Sequence, residues 1–243
     1  MKSRVSYNLN SNTVFLMDFK KPIFNKHIKF EPGKDNSINV SSNLLLSQII
    51  ELYCGESREG LAIEKNAYGK PYLTNRENVW FNLSHSGSVM ALLLSRAGDV
   101  GVDIECRTDQ KDYVKIARRF FHAEEKSSLS KLDPHSAQRR SHMLWCLKEA
   151  YIKAIGKGLA QPLNSFRFEI SRHHVDLYEP AQLHISQRWQ CQYHELDNHY
   201  GLSVCIPQGT SLLLSIRCAR VLHPLQGETR SGRSDHFQHT ELP

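Results

Sequence analysis

The sequence predicts an α+β protein of two comparable halves. Three observations carry that expectation. Short runs with strand character, rich in valine, leucine, isoleucine and aromatic residues, recur along the chain. Helical patterns fall in two groups, one ahead of the first strands and one between the early and late strands. No repeated strand–helix–strand alternation points to a parallel sheet.

The elements follow in order. Residues 1–35 mix short apolar pieces with Lys20, Lys21, Lys26, Lys29 and Lys34. "SSNLLLSQIIELYCG" predicts a helix that Ser41, Ser42 or Asn43 can cap and Gly55 can end. "NAYGKPYL" reads as a turn, since Gly69-Lys70-Pro71 stands between apolar residues. "VWFNLS" and "VMALLLS" read as strands joined by "HSGS", and "VGVDIE" as a third. A helix is expected from Asp112 to Leu132, with Ile116, Phe120 and Phe121 on its packed side, and another from His142 to Ile155. "FRFEIS", "HVDLYE", "WQCQYHEL", "YGLSVCI" and "LLLSIRC" supply the later strands. The expected division is a half over residues 1–100, a half over residues 101–222, and a polar tail over residues 223–243.

Composition narrows the function classes. The 243 residues are 40% hydrophobic and 23% charged, as in a soluble globular protein. No apolar run approaches the ~20 residues that span a bilayer, and "VFLM" is too short for a signal-peptide core. Cys54, Cys106, Cys146, Cys191, Cys205 and Cys218 are scattered without a CxxC pair. Scattered thiols fit a reducing cytoplasm better than a disulfide framework. The formal charge of +6 favours an anionic partner: a nucleic acid, an acidic protein or a polyphosphate. Zinc-finger spacing, an RNP-like aromatic motif and a Walker lysine loop are all missing, and "CQYHELDNH" lacks the tight pairing of a zinc site.

Two charge patterns stand out. In "GVDIECR", Asp103 and Glu105 share one face of a strand, while Val102 and Ile104 face the other way into the core. The pair reads equally as acids at a solvated rim and as a cation site. In "WCLKEAYIKAIGKGL", Trp145, Glu149 and Lys153 are spaced to project from one side of a helix. Alone, Glu149 and Lys153 would be a solvated pair worth about 0.2–0.5 kcal/mol. Together, three acids suit Mg²⁺, which bridges carboxylates and substrate phosphates. Lys153, Lys70 and the Ser84–His85 pair are groups of the kind that hold phosphate. Lys148 and Lys157 read as basic surface, and Trp145 as core packing.

"YGKPYL", "FNLSHSG", "VGVDIE", "ARRFFHAEE" and "WCLKEAYIKAIGKGL" occur in the order and spacing of 4′-phosphopantetheinyl transferases. The sequence resembles the larger, surfactin-synthetase-activating type from about Ser41 to Val221. The resemblance implies transfer of phosphopantetheine from coenzyme A to a serine of an acidic acyl or peptidyl carrier protein. It implies a pseudo-twofold α+β fold, a cytoplasmic monomer, and no nucleic-acid or membrane partner. By the family pattern Asp103, Glu105 and Glu149 ligate Mg²⁺ or Mn²⁺, and Asp103 also lies against coenzyme A. Lys70, Ser84 and His85 contact the nucleotide, Lys153 binds pyrophosphate, and Glu125 or a metal-bound hydroxide is the expected proton acceptor. The rival reading is an inactive coenzyme A-binding module. One departure favours it: the family arginine near Ser42–Asn43 is missing, since no arginine lies between Arg4 and Arg58.

Overall fold

Two β-sheets, one mixed and one antiparallel, and one long helix organise the described residues. The structure is a computed structural model that describes residues 11–18, 50, 62–108, 111–171, 174–179, 186–196 and 199–215. The Lys20–Lys34 lysines, the tail, Cys54 and Cys218 lie outside these residues. So does the Ser41–Gly55 helix, apart from Ile50, which is helical and buried.

β1 (Ser11–Asp18), β4 (Trp80–Ser86) and β5 (Val89–Ser95) form one sheet with β11 (Ser211–Ser215), in the order β11-β1-β5-β4. β6 (Gly101–Cys106), β9 (Trp189–Leu196) and β10 (Tyr200–Pro207) form a second, in the order β6-β10-β9. Short hairpins are made by β2 (Ile63–Lys65) with β3 (Pro71–Leu73), and by β7 (Arg167–Ile170) with β8 (Val175–Tyr178). β11, the last described strand, pairs parallel with β1, the first. The β4–β5 turn is tighter than "HSGS" suggests. β4 runs on through Ser86, and Gly87, at φ 58°, opens a two-residue turn.

Val14, Leu16, Ala91 and Leu93 of the first sheet meet Val102, Ile104, Leu202, Val204 and Ile206 of the second in one apolar layer. A polar seam runs beside it. β6 is the outer strand of its sheet, and its amide groups at Val102, Ile104 and Cys106 donate to Asn82 Oδ1, Ser84 Oγ and Ser86 Oγ at 2.9, 3.3 and 2.8 Å. Three alternate side chains of β4 thus replace a backbone ladder on an edge that would otherwise be unpaired.

The helical region differs from its sequence reading at two points. The expected helix from Asp112 to Leu132 is broken into α1 (Tyr113–Phe120) and α2 (Ala123–Leu129). Phe121 turns into the core in an extended conformation, and His122 caps α2 in a capping box completed by Glu125. Phe120, expected on the packed side, is instead 46% exposed. The helix expected from His142 is α3, and it begins at Pro134 and ends at Ala154. Asp133 caps it through the amides of His135 and Ser136, with Pro134 in the first turn, a start signal in the sequence.

α3 lies on the face of the second sheet opposite the apolar layer, and Gly101 sets how close it comes. A Cβ at position 101 would sit 1.9 Å from the Ala150 oxygen and 2.5 Å from the Ala154 nitrogen. Further along, a Cβ at Gly201 would lie 2.6 Å from His142 Cε1. Gly101→Ala is therefore expected to cost about 1–3 kcal/mol or more, because backbone cannot yield as a side-chain tip does. Urea unfolding measures the loss, and an unchanged midpoint would contradict the close contact.

Candidate active site

Period two along β6 puts Gly101, Asp103 and Glu105 on the face that meets α3. Where Gly101 lets the helix in, its 145/149/153 stripe lies over the two strand acids. Lys153 Nζ reaches Asp103 Oδ1 at 2.7 Å, and Trp145 Nε1 donates to Glu105 Oε1 at 2.8 Å. The stripe is the one the sequence spacing predicts. Trp145, expected as core packing alone, also orients an acid.

Asp103 is 4% exposed. Its Oδ1 accepts from Lys153 and, at 2.9 Å, from Ser84 Oγ, while Oδ2 is buried without a hydrogen-bond partner. Ser84 Oγ in turn accepts from Lys153 Nζ at 2.9 Å and from the Ile104 amide. Burial pushes the Asp103 carboxyl above the usual range, and Lys153 opposes this. Glu149 is pushed up to about 7, first by burial, then by the charge of Asp103, with Lys153 opposing and Glu105 adding. Glu105 Oε1 also accepts from Lys111 Nζ at 2.9 Å.

Among the described residues, no group of three Asp, Glu, His or Cys side chains is gathered into a ready metal cage. The donor chemistry nonetheless fits a hard divalent cation. The donors are carboxylate oxygens, one of them buried and orphaned, and the charges of Asp103 and Glu105 raise the proton affinity of Glu149. Mg²⁺ needs few protein ligands, because it keeps waters and takes phosphate oxygens.

The other expected residues lie at two places. Lys70 donates to Asp99 Oδ1 at 2.7 Å and to the Ala154 carbonyl at 2.8 Å, joining the β2–β3 turn to the end of α3. Asn66 strengthens that junction through the Gly156 carbonyl at 2.8 Å. Lys70, Tyr72, Arg76, Trp80 and Asp99 line a cleft of about 560 Å³. His85 is exposed on β4, beside the buried Ser84.

Glu125 is a correction. Expected as a proton acceptor facing the acids, it is 3% exposed and fully engaged elsewhere. Its oxygens accept from the His122 amide at 3.0 Å and the Phe168 amide at 2.9 Å, and Lys148 Nζ lies 2.9 Å away. Lys148 is a second correction, since it is wholly buried rather than basic surface. It also donates to the Leu163 and Phe166 carbonyls at 2.8 and 2.9 Å. Burial pushes its ammonium down to about 8, against the pull of Glu125. Lys148 and Glu149 are neighbours on α3 and project about 100° apart, so the pair holding Glu125 looks into the core while Glu149 looks toward β6. The break after Phe120 creates this arrangement, by making Glu125 the third residue of a new helix.

A family model described as the 4′-phosphopantetheinyl transferase superfamily matches residues 99–205. A 4′-phosphopantetheinyl transferase of Bacillus subtilis is 32% identical over 183 residues, covering 73% of this chain and 77% of that one. One from Aneurinibacillus migulanus is 33% identical over 152 residues, 63% of this chain and 62% of its own. A relative from Synechocystis sp. carrying the same transferase name is 40% identical over 98 residues, 40% of each chain. The matched region thus spans under two thirds of the last two relatives and over two thirds of the first. Among solved structures, the holo-[acyl-carrier-protein] synthase of Thermotoga maritima matches 47% of this chain and 64% of its own, with a TM-score of 0.35 and 17% identity.

Breaking the Lys148–Glu125 pair leaves a buried charge uncompensated, which costs about 3–5 kcal/mol. Lys148→Met is expected to lose that much in urea unfolding. Glu125→Gln should lose less, since the amide oxygen can still accept from a backbone amide. A Glu125→Gln protein as stable as the wild type, with catalysis abolished, would restore Glu125 to the chemistry.

Proposed function

The chain belongs to the 4′-phosphopantetheinyl transferase superfamily. From that premise we infer that it moves the phosphopantetheine arm of coenzyme A onto a serine of an apo acyl or peptidyl carrier protein. The other product is adenosine 3′,5′-bisphosphate. The observation that carries the reading is Asp103, a buried carboxylate with one oxygen fixed by Lys153 and Ser84 and the other orphaned beside two further acids.

Asp103, Glu105 and Glu149 would hold Mg²⁺ or Mn²⁺. When bound, the ion supplies positive charge at the pyrophosphate. Lys153, fixed on α3, adds a unit charge at the same place and steadies the oxygen on which negative charge develops. The serine oxygen forms a bond to the β-phosphorus, the bond from that phosphorus to the bridging oxygen breaks, and the electron pair leaves with the nucleotide. The Glu149 side chain makes no hydrogen bond to the described residues and would take the serine proton. Lys70 and the cleft of Tyr72, Arg76 and Trp80 would supply cationic and aromatic surface for the nucleotide, and Ser84 and His85 would add contacts by the family pattern.

The carrier would be acidic. The formal charge of +6 favours encounter with an anionic partner. Lys115, Arg118 and Arg119 are exposed on α1, and the Arg119 guanidinium lies over the ring of the exposed Phe120. We take the halves as residues 1–100 and 101–222, the working unit as a monomer, and the compartment as the cytoplasm. The free thiols of Cys106, Cys146, Cys191 and Cys205 support a reducing compartment. No described helix is long and apolar enough to cross a membrane.

Incubation with coenzyme A, Mg²⁺ and an apo carrier should add the mass of one phosphopantetheine arm to the carrier, and EDTA should abolish the gain. Asp103→Ala and Glu149→Ala should remain folded and inactive. Coenzyme A binding without any mass gain on several carriers would return the chain to an inactive nucleotide-binding module. Full transfer in excess EDTA would contradict the metal reading.

A further inference from the structure

Each acid of β6 carries its own lysine. Lys153 stands on the rigid α3 and pairs with Asp103. Glu105 pairs with Lys111, a residue outside every motif read in the sequence. We propose that Lys111 is a displaceable stand-in cation: it neutralises Glu105 in the metal-free chain and yields that carboxylate when a divalent ion arrives. The inference rests on the metal reading given above.

The contacts of Lys111 suit release better than permanent fixation. Its ammonium lies 2.9 Å from Glu105 Oε1, 4.6 Å from the ring centre of Trp145 and 5.0 Å from that of Tyr113. Two aromatic faces hold a cation by attraction to the ring quadrupole without consuming a hydrogen-bond acceptor. Both rings are fixed, Tyr113 by complete burial and Trp145 by α3 and its own bond to Glu105. A lysine that lets go of Glu105 therefore still has a place to rest. Its side chain is 37% exposed, so the ammonium can also turn into water, unlike that of Lys148.

The neighbouring charges give this device a purpose. Asp103, Glu105 and Glu149 are three acids faced by two ammonium groups, Lys111 and Lys153. The Trp145 N–H is neutral and uses one lone pair of one oxygen, so it orients Glu105 without opposing a cation. Lys111 opposes a cation directly. At about 6 Å in nearly aqueous surroundings, repulsion between a unit charge and a dication corresponds to about a tenfold change in affinity.

The test is Mn²⁺ binding to the full chain without coenzyme A, followed by electron paramagnetic resonance. Wild type, Lys111→Met, Lys111→Arg and Asp103→Asn are compared, with melting temperatures taken in EDTA and in saturating Mn²⁺. Lys111→Met should bind Mn²⁺ about tenfold more tightly, and Lys111→Arg should match the wild type. The methionine variant should melt lower than wild type in EDTA, with the gap closed by Mn²⁺. A damaged fold lowers metal affinity, so a gain cannot arise from misfolding. Unchanged or weaker binding by Lys111→Met, with binding still lost in Asp103→Asn, would overturn the role of Lys111 and leave the metal reading intact. Binding that is absent in every chain, or indifferent to Asp103→Asn, would overturn the metal reading and this inference with it.

Discussion

The approach of α3 to β6 depends on residue 101 having no side chain. With Ala150 and Ala154 backbone occupying the volume a Cβ would need, the helix axis comes close enough for Lys153 to bond Asp103 directly and for Trp145 to reach Glu105. A wider gap would leave the strand acids and the helix stripe as separate surface charges, each of little consequence. Close approach removes water from between them. That desolvation is the first cause of the raised proton affinity of both Asp103 and Glu149. The packing constraint and the electrostatics of the site are thus one feature, written in the glycine two residues ahead of the first acid.

A second constraint acts from the other side of β6. The outer edge of that strand is satisfied by Asn82, Ser84 and Ser86, so the acid-bearing strand is fixed against the first sheet without belonging to it. Ser84 connects both systems, because one hydroxyl serves the Ile104 amide, Asp103 and Lys153. The Lys148–Glu125 knot completes the frame by tying α3 to α2 and to the start of β7, beneath the side that bears Glu149. Glu125, expected in the sequence to do chemistry, is held here as part of that frame.

The strands from β4 onward were legible because alternation and continuous apolar runs are strong local signals, and β5 and β6 fall within a residue of their expected bounds, whereas β1, β2 and β3 were not read as strands. The acid face of β6 and the 145/149/153 stripe were legible for the same reason, since periods of two and 3.6 fix relative direction. The break at Phe121 was not, because no glycine or proline marks it. Burial of the ring and the His122 cap decide it, and both depend on tertiary contacts. The fate of Lys148 was hidden likewise, for a lysine is almost never fully buried without a partner and nothing local announces Glu125 as that partner. The start of α3 at Asp133-Pro134 was available as a cap signal, whereas the pairing of Lys111 with Glu105 required the fold.

Central to the proposal is a divalent cation held by Asp103, Glu105 and Glu149, at the seam between β6 and α3. Diffraction from crystals grown with Mn²⁺ and coenzyme A, recorded at the manganese absorption edge, tests that placement most directly. One anomalous peak is expected, bonded to the second oxygen of Asp103 and to Glu149, with Glu125 still held by Lys148. A peak beside Glu125, or none between β6 and α3 with the nucleotide bound, would contradict it.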